Sequence, residues 1–595
     1  MTTSRAPLPA GGWPPGGPPR PPGALAVWAP AVATVEIETA AGRAPMLPAD
    51  DGWFMTESAI APGTDYRFAL DGGPALPDPR SPWQPEGVSG PSRTFDPTAF
   101  AWTDGRWRGP SWRGAVIYEL HVGTFSAAGT FDGAIEHLDH LADLGVTLVE
   151  LMPIAEFPGR LGWGYDGVLL FAPHHAYGGP DGLDRFVDAA HGRGLGVLLD
   201  VVYNHLGPEG NHLSRFGPYF SDRHHTPWGA AVNLDGADSA EVRRFFIDNA
   251  CYWLADHHID GLRLDAVHAL VDTSALTFVE ELGLEVERLS AHLGRNLLLV
   301  AESDANDPRL SMPRSAAGVG LDGQWDDDVH HAIHVALTGE RGGYYADFTG
   351  LPDLVHAYRH GFVRQGQVSQ HTGARRGRPL PHADGGRLVA FSQNHDQIGN
   401  RADGDRLGRQ AGVDAALVGA ALVLFSPFVP LLFQAEEWAS SSPFPYFADF
   451  EGDDLVQAVR EGRRREFAEA GWSAATPDPF DPGTFASARL DWSELGEGEH
   501  CRALDWYRGL LALRRQWPEL SDGRLDRVTA RADEADAVFM AERGRLLLVA
   551  VLRPGRFVVD VPPAAELLLT SDDGAAVGDG TLGLAGPAAA VLVVG

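Results

Sequence analysis

Lysine is absent from all 595 residues, so every one of the 47 basic side chains is an arginine. That absence excludes Schiff-base catalysis and a P-loop lysine together. Genomic bias toward Arg, Ala, Gly and Pro codons accounts for it. Positive charge is scarce in general: 80 acidic residues leave a net charge of −33. Such a surface repels phosphate backbones and anionic bilayers, so neither nucleic acid nor a membrane is expected as a partner. Cysteine is almost missing. Cys251 and Cys501 stand alone, too far apart for a zinc spacing, and two reduced, buried thiols are expected. No apolar run reaches the ~18 residues that span a bilayer. The N-terminus lacks the basic patch and apolar core of a signal peptide. A soluble cytoplasmic protein is the expectation.

What the chain does have is apolar material, 44% of its residues, spread over a length that implies about two to four domains. Residues 1–23 end in a Pro/Gly tract, PLPAGGWPPGGPPRPPG, that cannot pack a core and reads as a flexible tail. Over 24–110 come short alternating runs (LAVWAP, TVEIETA, GWFMTE, YRFAL) broken by Gly, Pro and Asp, the pattern of a small β-sandwich. A proline-rich connection, 76–93, leads onward.

From about 111 to 520 the rhythm is strand then helix. Eight candidate strands lie in AVIYELHV, VTLVELMP, GVLLDVVY, GLRLDA, LLLVAE, GLDGQWD, RLVAFSQN and VPLLFQAE. Helical patterns such as 131–145 and 239–257 separate them. Eight strands with intervening helices predict an α/β fold, a closed (β/α)8 TIM barrel. The third strand-to-helix link, about 204–238, is long and rich in His, Gly and Pro, and should pass over the mouth. Another insertion, about 340–386, precedes the seventh strand. Residues 521–595 revert to strands and suit a C-terminal β-sandwich.

Four acids follow apolar runs: Asp200 in LLDVVYNH, Asp265 in GLRLDAVH, Glu302 in LLLVAES and Asp396 in FSQNHD. Each therefore sits at a strand's C-terminal end, where a barrel does its chemistry. Acids converging on one mouth suit glycosidic cleavage, which needs one carboxylate and one proton donor. Arg263 and Asp265 are two apart and share a strand face; the pair serves either an ionised nucleophile or a buried structural ion pair. Glu302 leaves a very apolar strand, and the desolvation raises its pKa toward that of a general acid. A helix-capping glutamate is the plainer alternative. His395 can donate to sugar hydroxyls and Asp396 can hold a pair of them. His205 is a candidate sugar contact, while Asp200 can brace Arg263.

In order, spacing and placement, DVVYNH, GLRLDAVH, the VAES glutamate and NHD resemble the four conserved regions of the α-amylase superfamily. The resemblance covers about 111–515, and the flanking sandwiches, the first like a carbohydrate-binding module, match that superfamily's usual β-domains. It implies Asp265 as nucleophile, Glu302 as acid/base and Asp396 as transition-state stabiliser in a retaining mechanism. It also implies Tyr165, in the turn-like GWGYDG, as the ring that stacks on the sugar. Three further segments, PDPRSPWQPEGVSGPSR, GQWDDDVHHAIHVALTGE and PLLFQAEEWASSSPFPYFADF with VREGRRREF, resemble one subgroup, the maltooligosyltrehalose trehalohydrolases. That implies hydrolysis of the α-1,4 bond next to a terminal trehalose, on a substrate made by a maltooligosyl trehalose synthase. Glycogen branching and debranching enzymes are the alternative within the superfamily, and a non-catalytic glucan-binding barrel is the alternative outside catalysis. Residues bordering the leaving-group side are expected to read the trehalose end: His268, Trp325, Asp327 and Glu437 with the 440–450 loop. The loop after Asn204 lacks the acids that calcium prefers, so no metal and no cofactor is expected.

Overall fold

The computed structural model describes residues 22–381, 384–469 and 476–595; nearly all of the Pro/Gly tail lies outside them. Eight short strands form the centre: β1 (Ile117–Leu120), β2 (Leu148–Leu151), β3 (Gly196–Val201), β4 (Gly261–Leu264), β5 (Leu298–Ala301), β6 (Gly323–Trp325), β7 (Leu388–Ala390) and β8 (Val429–Phe433). All pair in parallel and in chain order, and β8 returns to β1 to close the barrel. Helices outside and a packed lumen inside bury both faces, so these strands are continuous apolar runs rather than alternating ones.

The lumen is layered. Ile117, Leu148, Leu198, Leu298, Val300, Trp325, Val389 and Leu431 pack together as one apolar cluster. Two residues further along β1, β2, β3 and β4, on the same strand faces, come Glu119, Glu150, Asp200 and Arg263, all buried. A polar layer thus lies directly beneath the mouth.

The helical pattern at 131–145 is two helices, Phe131–Ile135 and Leu138–Leu144, the second ended by Gly145 in a left-handed conformation (φ 105°). Ser239–Asp256 is helical as its pattern predicts. The long link after β3 carries a short helix, Leu213–Phe216, and a hairpin of Phe220–Thr226 with Gly229–Val232. The insertion before β7 holds the helix Leu351–His360. No helix among the described residues is long and apolar enough to cross a membrane.

The N-terminal strands form two small antiparallel sheets. They dock through Arg80, which pairs with Asp248 (2.8 Å) and lies over Phe171 and Phe245. The C-terminal strands belong to one antiparallel ladder of six, built around the long strands Leu546–Asp560 and Thr581–Val593. Phe539, Leu548 and Val591 on one face join the main core, while Met540, Val549 and Leu592 on the other join a second core with Leu582 and Leu584 from the start of the strand Thr581–Val593. The cysteines depart from expectation in one respect. Both are free, but Cys501 is exposed whereas Cys251 is buried. Cys501 lies in the first turn of the helix Gly498–Gln516, which turns Ala503, Leu504, Trp506 and Tyr507 to the core instead.

Candidate active site

Arg263 organises the mouth. Its Nη1 donates to both oxygens of Asp200 (2.8 Å each) and to Oδ1 of Asp265 (2.7 Å), and its Nη2 stands 3.1 Å from Oε2 of Glu302. β3 and β4 set Asp200 directly across from Arg263 in the pairing register. One buried guanidinium therefore gathers carboxylates from three consecutive strands. Burial alone would favour its deprotonation, but Asp200 and Glu302 outweigh that and hold it charged.

Asp265 also receives Asn204, whose Nδ2 donates to its carboxylate (2.5 Å) and backbone oxygen (2.9 Å). The next residue, Ala266, has φ 38°, a strained conformation for a side-chain-bearing residue. Its N–H reaches Oε2 of Glu302 at 2.7 Å. The strained turn thus ties the fourth strand's acid to the fifth strand's. Glu302 is raised well above the usual carboxylate range, chiefly by burial, with Asp265 and Asp396 adding to the rise and Arg263 opposing it. Asp200 is pushed up to about 6, first by burial.

Asp396 opens the short helix His395–Gly399, its side chain 38% exposed and so free to meet a ligand. Asn400 donates to it at 3.3 Å. His395 is fully enclosed. Its Nδ1 bonds Oε1 of Glu119, its Nε2 lies 2.7 Å from the Tyr165 hydroxyl, and the Tyr165 ring stacks on it at 5.1 Å. His205 bonds Asn204 and the backbone oxygen of Tyr165, and stacks against the half-exposed Trp228 at 5.0 Å. Asp265, Glu302, Asp396, Tyr165, His395, His205 and Arg263 are therefore one connected cluster. Asp327 borders it: burial pushes its carboxyl up to about 7, with Arg376 opposing and Asp396 and Asp304 reinforcing. His268 stands at the rim, 3.7 Å from Asp304 and partly exposed.

Two expected substrate contacts are placed elsewhere. Trp325 is 2% exposed and lies under Arg263, 4.4 Å from the guanidinium carbon to the ring centroid, packed against Phe391. As the last residue of β6 it points into the lumen and forms the floor of the site. Glu437 is fully buried behind the wall of the barrel, bonded to the Tyr118 hydroxyl (3.2 Å) and His140 (2.8 Å). It joins the eighth strand's end to the helix after β1.

Glu119, Glu150 and Trp228 went unread in the sequence. The signal for the first two was present, a glutamate inside an otherwise apolar strand; Trp228, in a hairpin turn, carried none. Among the described residues one group has a metal-like composition, Glu156, His174 and His175 at the base of the loop that carries Tyr165. Glu156 accepts the His175 ring at 2.7 Å and its N–H at 2.8 Å, and His174 Nδ1 stands 3.3 Å from the same carboxylate. The cluster pins that loop's two ends together.

Residues 96–223 match the catalytic-domain model of the α-amylase family. A malto-oligosyltrehalose trehalohydrolase of Arthrobacter ramosus is 50% identical over 95% of this chain and 98% of its own. A crystal structure from Salmonella typhimurium, assigned provisionally as an α-amylase, superposes with a TM-score of 0.88 at 39% identity, covering 96% of this chain and 97% of that one. A 1,4-α-glucan branching enzyme of Vibrio parahaemolyticus is 31% identical, but over 49% of this chain and 45% of its own. With a cluster of three acids at the mouth of an eight-stranded barrel and full-length likeness to these relatives, the chain belongs to the malto-oligosyltrehalose trehalohydrolase family.

Proposed function

We propose that the protein hydrolyses the α-1,4-glucosidic bond beside the terminal trehalose of maltooligosyl trehalose, with retention at the anomeric carbon, and releases free trehalose. The observation that carries the mechanism is the shared guanidinium. Arg263 holds an oxygen of Asp265 on one η nitrogen and an oxygen of Glu302 close to the other. Two carboxyls within one guanidinium's span suit the ~5–5.5 Å separation of retaining enzymes better than the ~6.5–9.5 Å of inverting ones.

In this reading Asp265 attacks the anomeric carbon and forms a glucosyl ester. Glu302, kept protonated by burial, delivers its proton to the departing trehalose oxygen. The same residue then takes a proton from water, which attacks the ester and restores both groups. Asp396 holds hydroxyls of the reacting sugar, with Tyr165, backed by the enclosed His395, against its face. Asp200 keeps Arg263 charged and in place. The trehalose end is selected on the leaving-group side, where His268, Asp327 and the loop at 440–450 are the remaining candidates. Polar groups paired by trehalose and left unpaired by maltose would supply the discrimination.

The 1,1 linkage must exist before this site acts, so a maltooligosyl trehalose synthase acts upstream, and both work in the cytoplasm. A branching or debranching activity is the second reading, weakened because the branching-enzyme likeness spans about half of the chain. A non-catalytic glucan binder would have no need of a buried, raised Glu302 beside Asp265.

The test compares maltooligosyl trehalose with a plain maltooligosaccharide of equal length, following the first product by NMR. Free trehalose, a new α-anomer and strong preference for the trehalose-ended substrate are expected. Equal cleavage of both, with maltose as the product, sinks the subgroup reading; an initial β-anomer sinks the retaining mechanism.

A further inference from the structure

Glu119 and Glu150 are neighbours in the register of β1 and β2, and both enter the lumen below the catalytic acids. Two adjacent buried carboxyls do not both ionise at moderate cost, and their surroundings differ. Glu119 accepts the His395 ring through Oε1 and the His395 backbone N–H through Oε2 (3.1 Å). Neither oxygen of Glu150 has a hydrogen-bond partner among the described residues. The asymmetry leaves the charge on Glu119 and the proton on Glu150.

The protons around His395 can then be counted. The Tyr165 hydroxyl has one proton and donates it to Asp200 at 2.6 Å. Its contact with Nε2 of His395, at 2.7 Å, must therefore be donated by the ring. Nδ1 faces the Glu119 carboxylate and must carry a proton as well. Both ring nitrogens are donors only in the imidazolium.

We propose that Glu119 and Glu150 are a positioning pair for His395: Glu119, as carboxylate, keeps the ring an imidazolium whose Nε2–H holds the Tyr165 hydroxyl in place, and Glu150, as neutral acid, leaves that carboxylate undivided. The ion pair is neutral overall, so it fixes the Tyr165 hydroxyl with a charged donor without opposing the positive charge that develops at the anomeric carbon. The groups that face the ring are Glu119 from β1, Glu150 from β2, Asp200 from β3, Arg263 from β4 and Asp396 from its own loop. Tyr165 and His121 complete its surroundings. Burial works against a charge on His395, but Glu119 and Asp396 outweigh it and push the ring up to about 9. Glu150 is raised well above its usual value, by burial first and by Glu119 next.

The proposal rests on the glycosidase reading only where turnover is measured, so its decisive test needs none. The full chain would be labelled with 15N in histidine, His395 assigned against His395→Gln, and the ring nitrogens followed from pH 6 to 10. Both nitrogens should remain protonated at pH 7.5 in the wild type. In Glu119→Gln the titration should fall by at least about one pH unit, tenfold in proton affinity. Glu119→Asp, which keeps the charge, should hold the titration high even if packing suffers. Glu150→Gln, which keeps the neutral state, should leave the titration where it is. A neutral His395 at pH 7.5, an unmoved titration in Glu119→Gln, or a fall of a full unit in Glu150→Gln each overturns the proposal. Loss of glucan cleavage with an imidazolium intact would count against the proposed activity and not against this pair.

Discussion

The acids of the mouth differ in what surrounds them, and that difference supports the proposed division of work between them. Asp265 meets two donors, Arg263 and Asn204, whereas Glu302 is buried, raised, and approached by the N–H of Ala266. Replacing either Asp265 by Asn or Glu302 by Gln should lower kcat by at least about a thousandfold with the fold retained, as seen by circular dichroism. The pH profile separates them. An acid raised by burial stays protonated into the neutral range, so activity falls as pH climbs through its pKa, and that fall is the alkaline limb. With a glucosyl fluoride, whose departure needs little protonation, Glu302→Gln should regain part of its rate and lose that limb. A limb that survives unchanged would move the acid role to another raised carboxyl of the mouth, Asp200 or Asp327.

Strand ends and the turns after them decide which residues touch substrate. Trp325 and Asp327 are two apart, yet the first ends β6 facing the lumen and the second begins the helix Asp327–Thr338 at the rim. Removing the Trp325 ring should therefore not act on specificity. Trp325→Ala is expected to cost about 3–5 kcal/mol of stability, to let Arg263 drift, and to slow trehalose-ended and plain substrates by the same factor. Glu437→Gln should likewise leave the ratio of the two kcat/KM values unchanged, since its partners Tyr118 and His140 lie behind the wall. A selective loss on the trehalose-ended substrate in either variant would return that residue to the leaving-group side.

A buried arginine joins the C-terminal sheet to the barrel, beside apolar contact, and a second one braces the same stretch from within the barrel. Arg514 donates to the backbone oxygens of Leu424 (2.9 Å) and Phe428 (2.7 Å), and Arg543 to those of Ser426 (2.6 Å) and Leu520 (3.1 Å). The carbonyls of Leu424, Ser426 and Phe428 lie at and beyond the end of the helix Val413–Leu424, where the helix itself supplies no donors. Arg543→Ala leaves buried acceptors unsatisfied and should cost about 3 kcal/mol, seen as a lower Tm for the whole chain. A separate early transition confined to the C-terminal strands would mean that the sheet unfolds independently of the barrel.

Composition, strand order and the four acid-bearing segments are properties of the chain read locally, and they were enough for the closed barrel and the α-amylase superfamily, while three further segments carried the resemblance to the subgroup. Runs such as LLDVV and LLLVA are apolar on both faces because a barrel strand is buried on both, so eight of them with helices between leave few other folds. Side-chain direction at a strand's end is not local in this sense. Trp325 and Glu437 lie in segments that read as rim loops, but one ring turned into the lumen and one carboxylate turned behind the wall. Glu119 and Glu150 look in sequence like interruptions of apolar strands; closure of the barrel sets them side by side under His395. The chain determined which groups are available, whereas the burial, pairing and protonation of each group depend on neighbours that only the closed barrel brings together.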